Sequence, residues 1–599
     1  MIRRLTTIED AFAALALAAM VVLPLLEIAV RRLVGVGVPG SGPFVQHLTL
    51  WVGFLGAAIA AREGKLLALA TGTFIPEGRA RDGAAVFAAA VAACMATILT
   101  WGAIQLVATE RETGTIIAAD VPAWAAQLAL PIGFALIAVR LVRRSSRRRI
   151  GRLIAAAGPV AAVVLIAVPS ILQDRPAALG LGVVFAAAVL GAPIFAILGG
   201  AAVLLFMRDG VTPATVLIET YALSVSPTLP AIPLFTLAGF LLAEGHASAR
   251  LLRVFRAWFG WVPGGTAVVC AVLCSFFTAF TGGSGVTILA VGGVLFPALL
   301  KEGYRDRFSL GLLTVSGSLG LLLPPSLPLI LYAVVAQIPI EDLFIGGIVP
   351  GVLLTTMVAL WGVREGVISG AARQRFRARE ALDALWAAKW ELAMPAIVVV
   401  SMFSGIATAV EAAALTAFYA LIVQTTVHRD LAPGRDLLRV FVECVVVIGG
   451  VLLILGVAVG LTNYLVGAQV PARLVEWVRQ HISSRLMFLF ALNVFLLVVG
   501  WLMEIFAAIV VVVPLIVPLG AAFGINPIHL GVIFVANLEL GFLTPLVGLN
   551  IFLASYRFKR PVLEVVHATL PFMAILAAGV LVITYVPWLT TGLLALLGR

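Results

Sequence analysis

GVTILAVGGVLFPALLKEGY with SLGLLLPPSLPLILYA, spanning Gly285–Ala333, and FAAIVVVVPLIVPLGAAFGI with LELGFLTPLVGLNIFLAS, spanning Phe506–Ser555, read as two copies of one object. Each is an apolar hairpin followed by a helix broken by Gly and Pro. Pro297, Gly303, Gly320 and Pro324 in the first pair with Pro518, Gly524, Gly541 and Pro545 in the second, all 221 residues apart. Matched, interrupted hydrophobic segments in two halves of a chain point to the binding site of a secondary transporter. Such halves are commonly inverted about an axis in the membrane plane, although the sequence itself carries only the duplication.

The rest of the composition agrees with a membrane setting. Of 599 residues, 62% are hydrophobic and 12% charged, with mean hydropathy +1.13. Apolar runs of 18 or more residues recur from Ala11 onward, the length a hydrocarbon core about 30 Å thick demands. About sixteen membrane segments are expected, in an all-α polytopic integral membrane protein. The net charge of +11 does not indicate nucleic acid, because its basic residues cluster between apolar runs. Seven Arg lie between Arg140 and Arg152, and a second basic stretch runs from Arg364 to Lys389. This is the pattern of cytoplasmic loops. With the N-terminus inside, the loop Arg62–Arg81 returns inside, the acidic stretch Glu110–Asp120 lies outside, and the Arg140 cluster lies inside again. The first apolar run has no small-residue cleavage site behind it and continues into Arg31–Arg32, so it is expected to stay as a helix.

Four candidate spans, at 11–30, 44–61, 84–108 and 122–141, make up a first unit of residues 1–145. A fifth apolar run, 153–172, sits in a linker of 146–176 and reads as a fusion helix that gives the next unit its starting side. The larger unit occupies 177–599: repeat one over 177–362, an amphipathic midpoint helix over 364–390 on the cytoplasmic surface, and repeat two over 391–599.

Polar groups inside the apolar field supply the candidate chemistry. Gly282, Gly283 and Gly285 bracket Ser284. Unwound backbone in lipid survives only packed in protein or lining a wet cavity, because each unsatisfied peptide group costs several kcal/mol. Such a turn offers carbonyl oxygens to an alkali cation, with the Ser284 and Thr287 hydroxyls beside them. The alternative is close helix packing through small residues. Leu323-Pro324-Pro325-Ser326 breaks a helix and frees upstream carbonyls. Its partner break holds Gly541, Thr544 and Pro545, with Gly548 and Asn550 behind. Glu411, Glu504 and Glu539 are acids within apolar segments, where ionisable groups are functional or paired. Glu504 stands opposite Gly283 in the repeat. Glu539 suits a structural hydrogen bond or a ligand role equally, and Glu411 suits helix packing against backbone amides. Four buried-looking Cys (94, 270, 274, 444) lack His partners for a zinc site. No nucleotide loop or nucleophile motif appears, so an ion gradient is the expected energy source. One charge crossing 100 mV yields about 2.3 kcal/mol.

At these residues the chain resembles the membrane component of tripartite ATP-independent periplasmic (TRAP) transporters, with the small Q-type and large M-type subunits fused. The matching strings are LPAIPLFTLAGFLL (229–242), LFPALLKEGY (295–304), GLLLPPSLPLILYA (320–333), GIATAVEAAA (405–414), NPIHLGV (526–532) and NLELGFLTPLVGLNIF (537–552). LEIAVRRL (26–33) and LWVGFLGAAIAAREG (50–64) are similar to the small subunit. The resemblance implies a sodium-coupled importer of small organic anions, usually carboxylates, in the bacterial inner membrane, working as a monomeric membrane component. It implies an inverted-repeat, elevator-type transport domain with two re-entrant helical hairpins, beside a static scaffold domain. It implies a periplasmic substrate-binding protein that delivers the cargo, and about two co-transported Na+. The cation sites would map onto Gly283, Ser284, Gly320 and Pro324 in copy one, and onto Met503, Glu504, Gly541, Thr544 and Pro545 in copy two. Ser284, Thr287, Ser326, Thr544 and Asn550 would face the substrate. The chain departs from the sialic-acid type at Ile288, where an Asp is usual, and from many members at Leu546, Glu504 and Phe240. Other readings are a stand-alone ion-coupled symporter or antiporter without a binding protein, an integral-membrane enzyme and a membrane scaffold. A catalytic protein would need paired acids or His near the interface, and none stands out.

Overall fold

The computed structural model describes residues 2–68, 78–173, 176–371, 375–405, 407–544 and 548–599, with the side chains of 2–5 and Leu549 outside the description. Apart from a short antiparallel ribbon, β1 (Ile116–Ala118) and β2 (Val121–Pro122), the described regular structure is helical. Lipid offers the backbone no water, so apolar runs satisfy their own N–H and C=O groups as helices. Among the described residues twelve helices are long and apolar enough to cross a bilayer, or up to fourteen if two bent pairs each count as a span. Five shorter apolar helices accompany them. The all-α polytopic class holds, and a figure near sixteen depends on how the bent and short helices are taken.

The chain forms two compact units: Met1–Pro233 with Leu437–Arg473, and Leu234–Asp436 with Leu474–Arg599. The first opens with α1 (Ile2–Val34), α2 (Ser41–Glu63), α3 (Arg79–Thr113), α4 (Ala123–Gln127), α5 (Ala129–Arg144) and α6 (Arg149–Ala167). It continues with α7 (Ser170–Gln173), α8 (Ala177–Val189), α9 (Ile194–Arg208) and α10 (Ala214–Ser224). α3 is the spine, packing on α5, α6, α9 and α10. Small residues allow the approach: a Cβ on Gly158 of α6 would stand 2.0 Å from the Ala90 carbonyl of α3. Between apolar helices in lipid, such close packing replaces hydrophobic driving force.

The remaining helices run twice through one order. The first pass is α11 (Ala231–Glu244), α12 (Ala247–Phe259), α13 (Gly265–Thr281), α14 (Ser284–Lys301), α15 (Asp306–Ser316), α16 (Leu327–Ala336) and α17 (Ile340–Ile368). Next come α18 (Ala378–Ala387), α19 (Lys389–Phe403) and α20 (Ala409–Ile422). The second pass is α21 (Arg435–Gly467), α22 (Val470–His481), α23 (Arg485–Leu502), α24 (Ile505–Ala522), α25 (Pro527–Gly541), α26 (Leu549–Phe558), α27 (Val562–Tyr585) and α28 (Trp588–Leu596). α14 and α24 are both 18 residues long and coincide at both ends at the spacing of 221. Each is followed by a left-handed Gly, Gly303 at φ 93° and Gly524 at φ 67°.

The structure relocates the hairpin arms. Residues 285–304 were expected to fold back on themselves, but 284–301 form the single helix α14. The other arm is the preceding α13, and the tip is Gly282–Gly283. Gly282 takes φ 63°, a left-handed turn that only Gly adopts without strain. The basic stretch 364–390 is likewise divided: its start finishes α17, α18 is a separate ten-residue helix, and α18 meets α19 at a bend of 65°.

Within the second unit the two copies are interlaced. α14 packs on α26 of the other copy, and α24 packs on α16. Ile288 of α14 shares a core with Leu310, Ile551, Ala554, Val565 and Ala568, flanked by Phe296 and Phe558. Gly292 gives α26 room, since a Cβ there would stand 2.9 Å from the Phe558 ring.

Candidate functional site

The first tip is built on hydroxyls. α13 ends at Thr281, Gly283 is extended, and Ser284 begins α14. Thr278 and Thr281, one turn apart on α13, face Thr287 on α14 because the arms lie side by side. The Thr278 hydroxyl lies 2.7 Å from that of Thr287 and donates to the Gly317 carbonyl at 2.8 Å. Thr281 Oγ1 is 3.4 Å from both Thr287 Oγ1 and the Gly283 carbonyl. Gly317 follows the last turn of α15, so this network ties the tip to the first helix break. The break itself runs from Gly317 to Pro325 as successive turns, with a cis bond between Pro324 and Pro325. Gly320 is needed for contact: a Cβ would stand 2.1 Å from the Ser275 carbonyl. Ser326 is the N-cap of α16, and Leu327 beside it lies against Gly282.

Several polar atoms here are buried and unpaired. Ser284 and Thr287 are buried, and Ser316 Oγ and Ser326 Oγ have no hydrogen-bond partner among the described residues. Asn550, from the second copy, is also here: its Nδ2 donates to the Thr314 carbonyl at 3.3 Å, leaving Oδ1 unpaired. A buried polar atom without a partner costs about 1–3 kcal/mol, so a cluster of them marks a place that a polar ligand would satisfy. Sequence spacing assigns Asn550 to the second break; the packing of α26 on α15 carries it to the first.

The second tip is built on a carboxylate. α23 ends at Leu502, Met503 is extended, and Glu504 caps α24, its Oε2 accepting the Phe506 N–H at 3.2 Å. An anion at a helix N-terminus also meets the positive end of the helix dipole. One turn before the tip, Gly500 of α23 touches Gly541 of α25, where a Cβ on Gly541 would stand 2.6 Å from the Gly500 Cα. Thr544 follows in a bend, buried, its hydroxyl donating to the Gly541 carbonyl at 2.7 Å. Gly548 N–H donates to the Thr544 carbonyl at 3.0 Å. Pro545 and Leu546 lie outside the described residues.

Thus Gly283, Ser284, Thr287, Gly320, Ser326 and Asn550 surround the first tip and break. Met503 and Glu504 stand one turn from the Gly500–Gly541 contact, with Thr544 just beyond. Pro324 is half-buried in the first break.

Sequence reading passed over Thr278 and Thr281, and also Asn493, whose Oδ1 accepts Asn537 Nδ2 at 2.7 Å and Thr584 Oγ1 at 3.2 Å. The available signal was a lone amide inside an apolar helix, which in a membrane looks for an interhelical partner. Glu539 is fully buried, with both carboxylate oxygens unpaired among the described residues. Glu411 has a local role. Thr408 and Glu411 form a reciprocal capping box, Thr408 N–H donating to Glu411 Oε2 at 2.8 Å.

Residues 181–589 match the family described as "Tripartite ATP-independent periplasmic transporter, DctM component", and residues 20–151 match its "DctQ component". The isethionate TRAP transporter permease protein DctMQ of Oleidesulfovibrio alaskensis is 34% identical over 510 residues, 82% of this chain and 79% of that one. The C4-dicarboxylate TRAP transporter large permease protein DctM of Vibrio cholerae is 32% identical over 431 residues, 68% of this chain and 95% of that one. The ectoine TRAP transporter large permease protein TeaC of Halomonas elongata is 31% identical over 401 residues, 66% of this chain and 94% of that one. Among solved structures, the Alcanivorax borkumensis YdaH transporter aligns with a TM-score of 0.47 at 16% identity, covering 63% of this chain and 88% of that one. That likeness is too slight to carry an argument.

Proposed function

This chain belongs to the tripartite ATP-independent periplasmic transporters, with the small and large membrane components in one polypeptide, and on that premise we propose that it takes up a small organic anion against a sodium gradient. It is a multi-pass protein of the bacterial inner membrane and a transporter, not an enzyme. The cargo is a carboxylate or a sulfonate, the acid groups of C4-dicarboxylates and isethionate, handed over by a periplasmic substrate-binding protein. About two sodium ions accompany it, one at each hairpin tip.

The observation that carries this reading is the pair of matched tips, each set against the helix break of its own copy, with the buried oxygens of Ser316, Ser326 and Asn550 left unpaired around the first among the described residues. Sodium is a hard cation that prefers such oxygens. At the first tip the oxygens are hydroxyls and carbonyls around Ser284, Thr287 and Gly317. At the second, Glu504 offers a carboxylate that would carry its negative charge when a cation is bound beside it. A ligand at the first tip would satisfy groups that otherwise cost free energy, and the side chains of Ser284, Ser326 and Asn550 would be offered to the anion. In the elevator mechanism proposed here, the hairpins and broken helices carry the loaded tips across while the small subunit and the basic midpoint stretch 364–390 remain fixed.

Purified protein in liposomes, with its cognate binding protein outside, should accumulate labelled acid only under an inward sodium gradient. Equal accumulation with potassium in place of sodium would refute the coupling. Equal accumulation without the binding protein would instead favour a stand-alone symporter.

A further inference from the structure

We propose that a groove at the cytoplasmic end of α1, α2 and α5 is a binding site for one anionic phospholipid. The groove encloses about 580 Å³ within the first unit. Ile8, Phe12, Leu55, Leu136 and Val139 form its walls, and Arg62, Arg140, Arg143 and Arg144 crowd one end. Ile8 is 66% exposed, Phe12 49% and Val139 47%, so the apolar wall opens outward.

The charge at this end is not internally balanced. Glu9 is fully engaged: Arg140 Nη1 and Nη2 donate to its two oxygens at 2.7 and 2.6 Å, and Arg62 Nη1 adds a third bond at 3.1 Å. Asp10 accepts Arg62 Nη2 at 2.7 Å. These pairs stitch α1 to α2 and α5, and they engage both Glu9, the acid among the described lining residues, and its neighbour Asp10. Arg143 and Arg144 are left without a carboxylate partner among the described residues. Arg144 is nevertheless held in place: its Nη1 donates to the Arg62 carbonyl at 2.6 Å, and its guanidinium covers Gly64, the left-handed cap of α2. A cation at a helix C-terminus is favoured there by the dipole. One arginine is therefore pre-positioned and one has no carboxylate partner among the described residues, beside an apolar trough.

The positive-inside pattern puts this end at the cytoplasmic leaflet, which is rich in anionic headgroups. A phosphodiester with two acyl chains matches both halves of the groove. Its phosphate meets Arg143 and Arg144, while a chain lies along Ile8, Phe12, Leu136 and Val139. Basic pockets between membrane helices on this side have that chemistry. Cationic surroundings alone would attract any anion weakly; the apolar walls select one with a lipid tail.

The test is native mass spectrometry of the full-length detergent-purified protein, titrated with dioleoyl phosphatidylglycerol or dioleoyl phosphatidylcholine. One phosphatidylglycerol should be retained preferentially. The double variant Arg143→Gln/Arg144→Gln should weaken its retention on the order of 30-fold, at about 1 kcal/mol per arginine. Arg147→Gln/Arg149→Gln, outside the groove, should change it by less than about twofold. Leu136→Trp, which fills the trough and leaves every charge, should also abolish selective retention, so the result does not hang on Arg144 supporting α2. Equal loss in both arginine double variants, equal retention of the two lipids, or displacement by millimolar inorganic phosphate would overturn the proposal.

Discussion

The two hairpin tips occupy matching positions, yet their oxygens come from different chemistry. Where the first tip has Thr278, Thr281 and Thr287, the second has Val499, Leu502 and Ala508; where the second has Glu504, the first has Gly283. The amides differ too: Asn493 and Asn537 stand where the first copy has Val272 and Ser316. Duplication has preserved backbone breaks and helix ends while the side chains diverged. A cation at the first tip would be held by neutral dipoles and keep its charge; one at the second would be neutralised by a carboxylate. In a low-dielectric site that is a large distinction.

The greatest expected effect breaks what the tips share. Gly541→Val would press a branched side chain into the Gly500 backbone, and Gly320→Val would press one into the Ser275 carbonyl. Overpacking of this kind typically costs about 1–3 kcal/mol. Uptake in proteoliposomes should fall at least about 100-fold in both, since the break and its neighbour move apart. Retention of uptake by either would mean that the close approach is incidental. Next is Glu504→Gln, which removes the charge but keeps the shape. Half-saturating sodium should rise on the order of tenfold, the scale of one charge-assisted contact, while Gly283→Ala at the matching position should shift it far less. An equal shift in both would dissolve the distinction between the tips. Thr278→Val should be smaller still, raising half-saturating sodium about fivefold, as expected for one hydrogen bond of about 1 kcal/mol. A value beyond that of Glu504→Gln would reverse the ranking.

The smallest expected effect concerns another matched pair, Asp209 and Asp430, also 221 residues apart. Asp209 accepts the Tyr464 hydroxyl at 2.8 Å. Asp430 accepts Arg250 Nη2 at 2.8 Å and the His246 N–H at 2.9 Å. Burial pushes the Asp430 carboxyl up, but the Arg250 guanidinium and the His246 amide outweigh it, leaving the group below its ordinary value. The unfolded chain therefore takes up the proton first. Stability from Asp430 is complete above the ordinary carboxylate value of about 4 and fades as pH falls through the lower folded value. Thermal melts in detergent should show a slightly shallower acid loss in Asp430→Asn than in wild type. An unchanged pH profile would show that the Arg250 contact contributes nothing.

Much of the fold was legible because its signals are local. Helix-length apolar runs survive as helices, the basic clusters between them as helix ends, and the glycines at constant spacing as turns or helix termini. The capping box at Thr408 and Glu411 was equally local, a Thr followed three residues later by Glu. What the sequence withheld is tertiary. Asn550 reads as part of the second break, and the packing of α26 on α15 sends it to the first. The Thr278–Thr287 bond depends on where α13 turns back, and the relevant Gly282 sits just before the stretch that was read as the hairpin. Glu539 remains the reverse case, a residue flagged by its setting whose oxygens find no partner among the described residues.

The interlacing of the copies has a consequence for how the protein comes into being. α14 and α16 leave the ribosome long before α26 and α24 exist, so neither early helix has its final neighbour during insertion. The first copy must wait in the bilayer, its polar break unsealed, until the second is threaded in. Coexpressed half-chains cut between the copies would therefore be expected to rescue one another, whereas either half alone should be a substrate for membrane quality control.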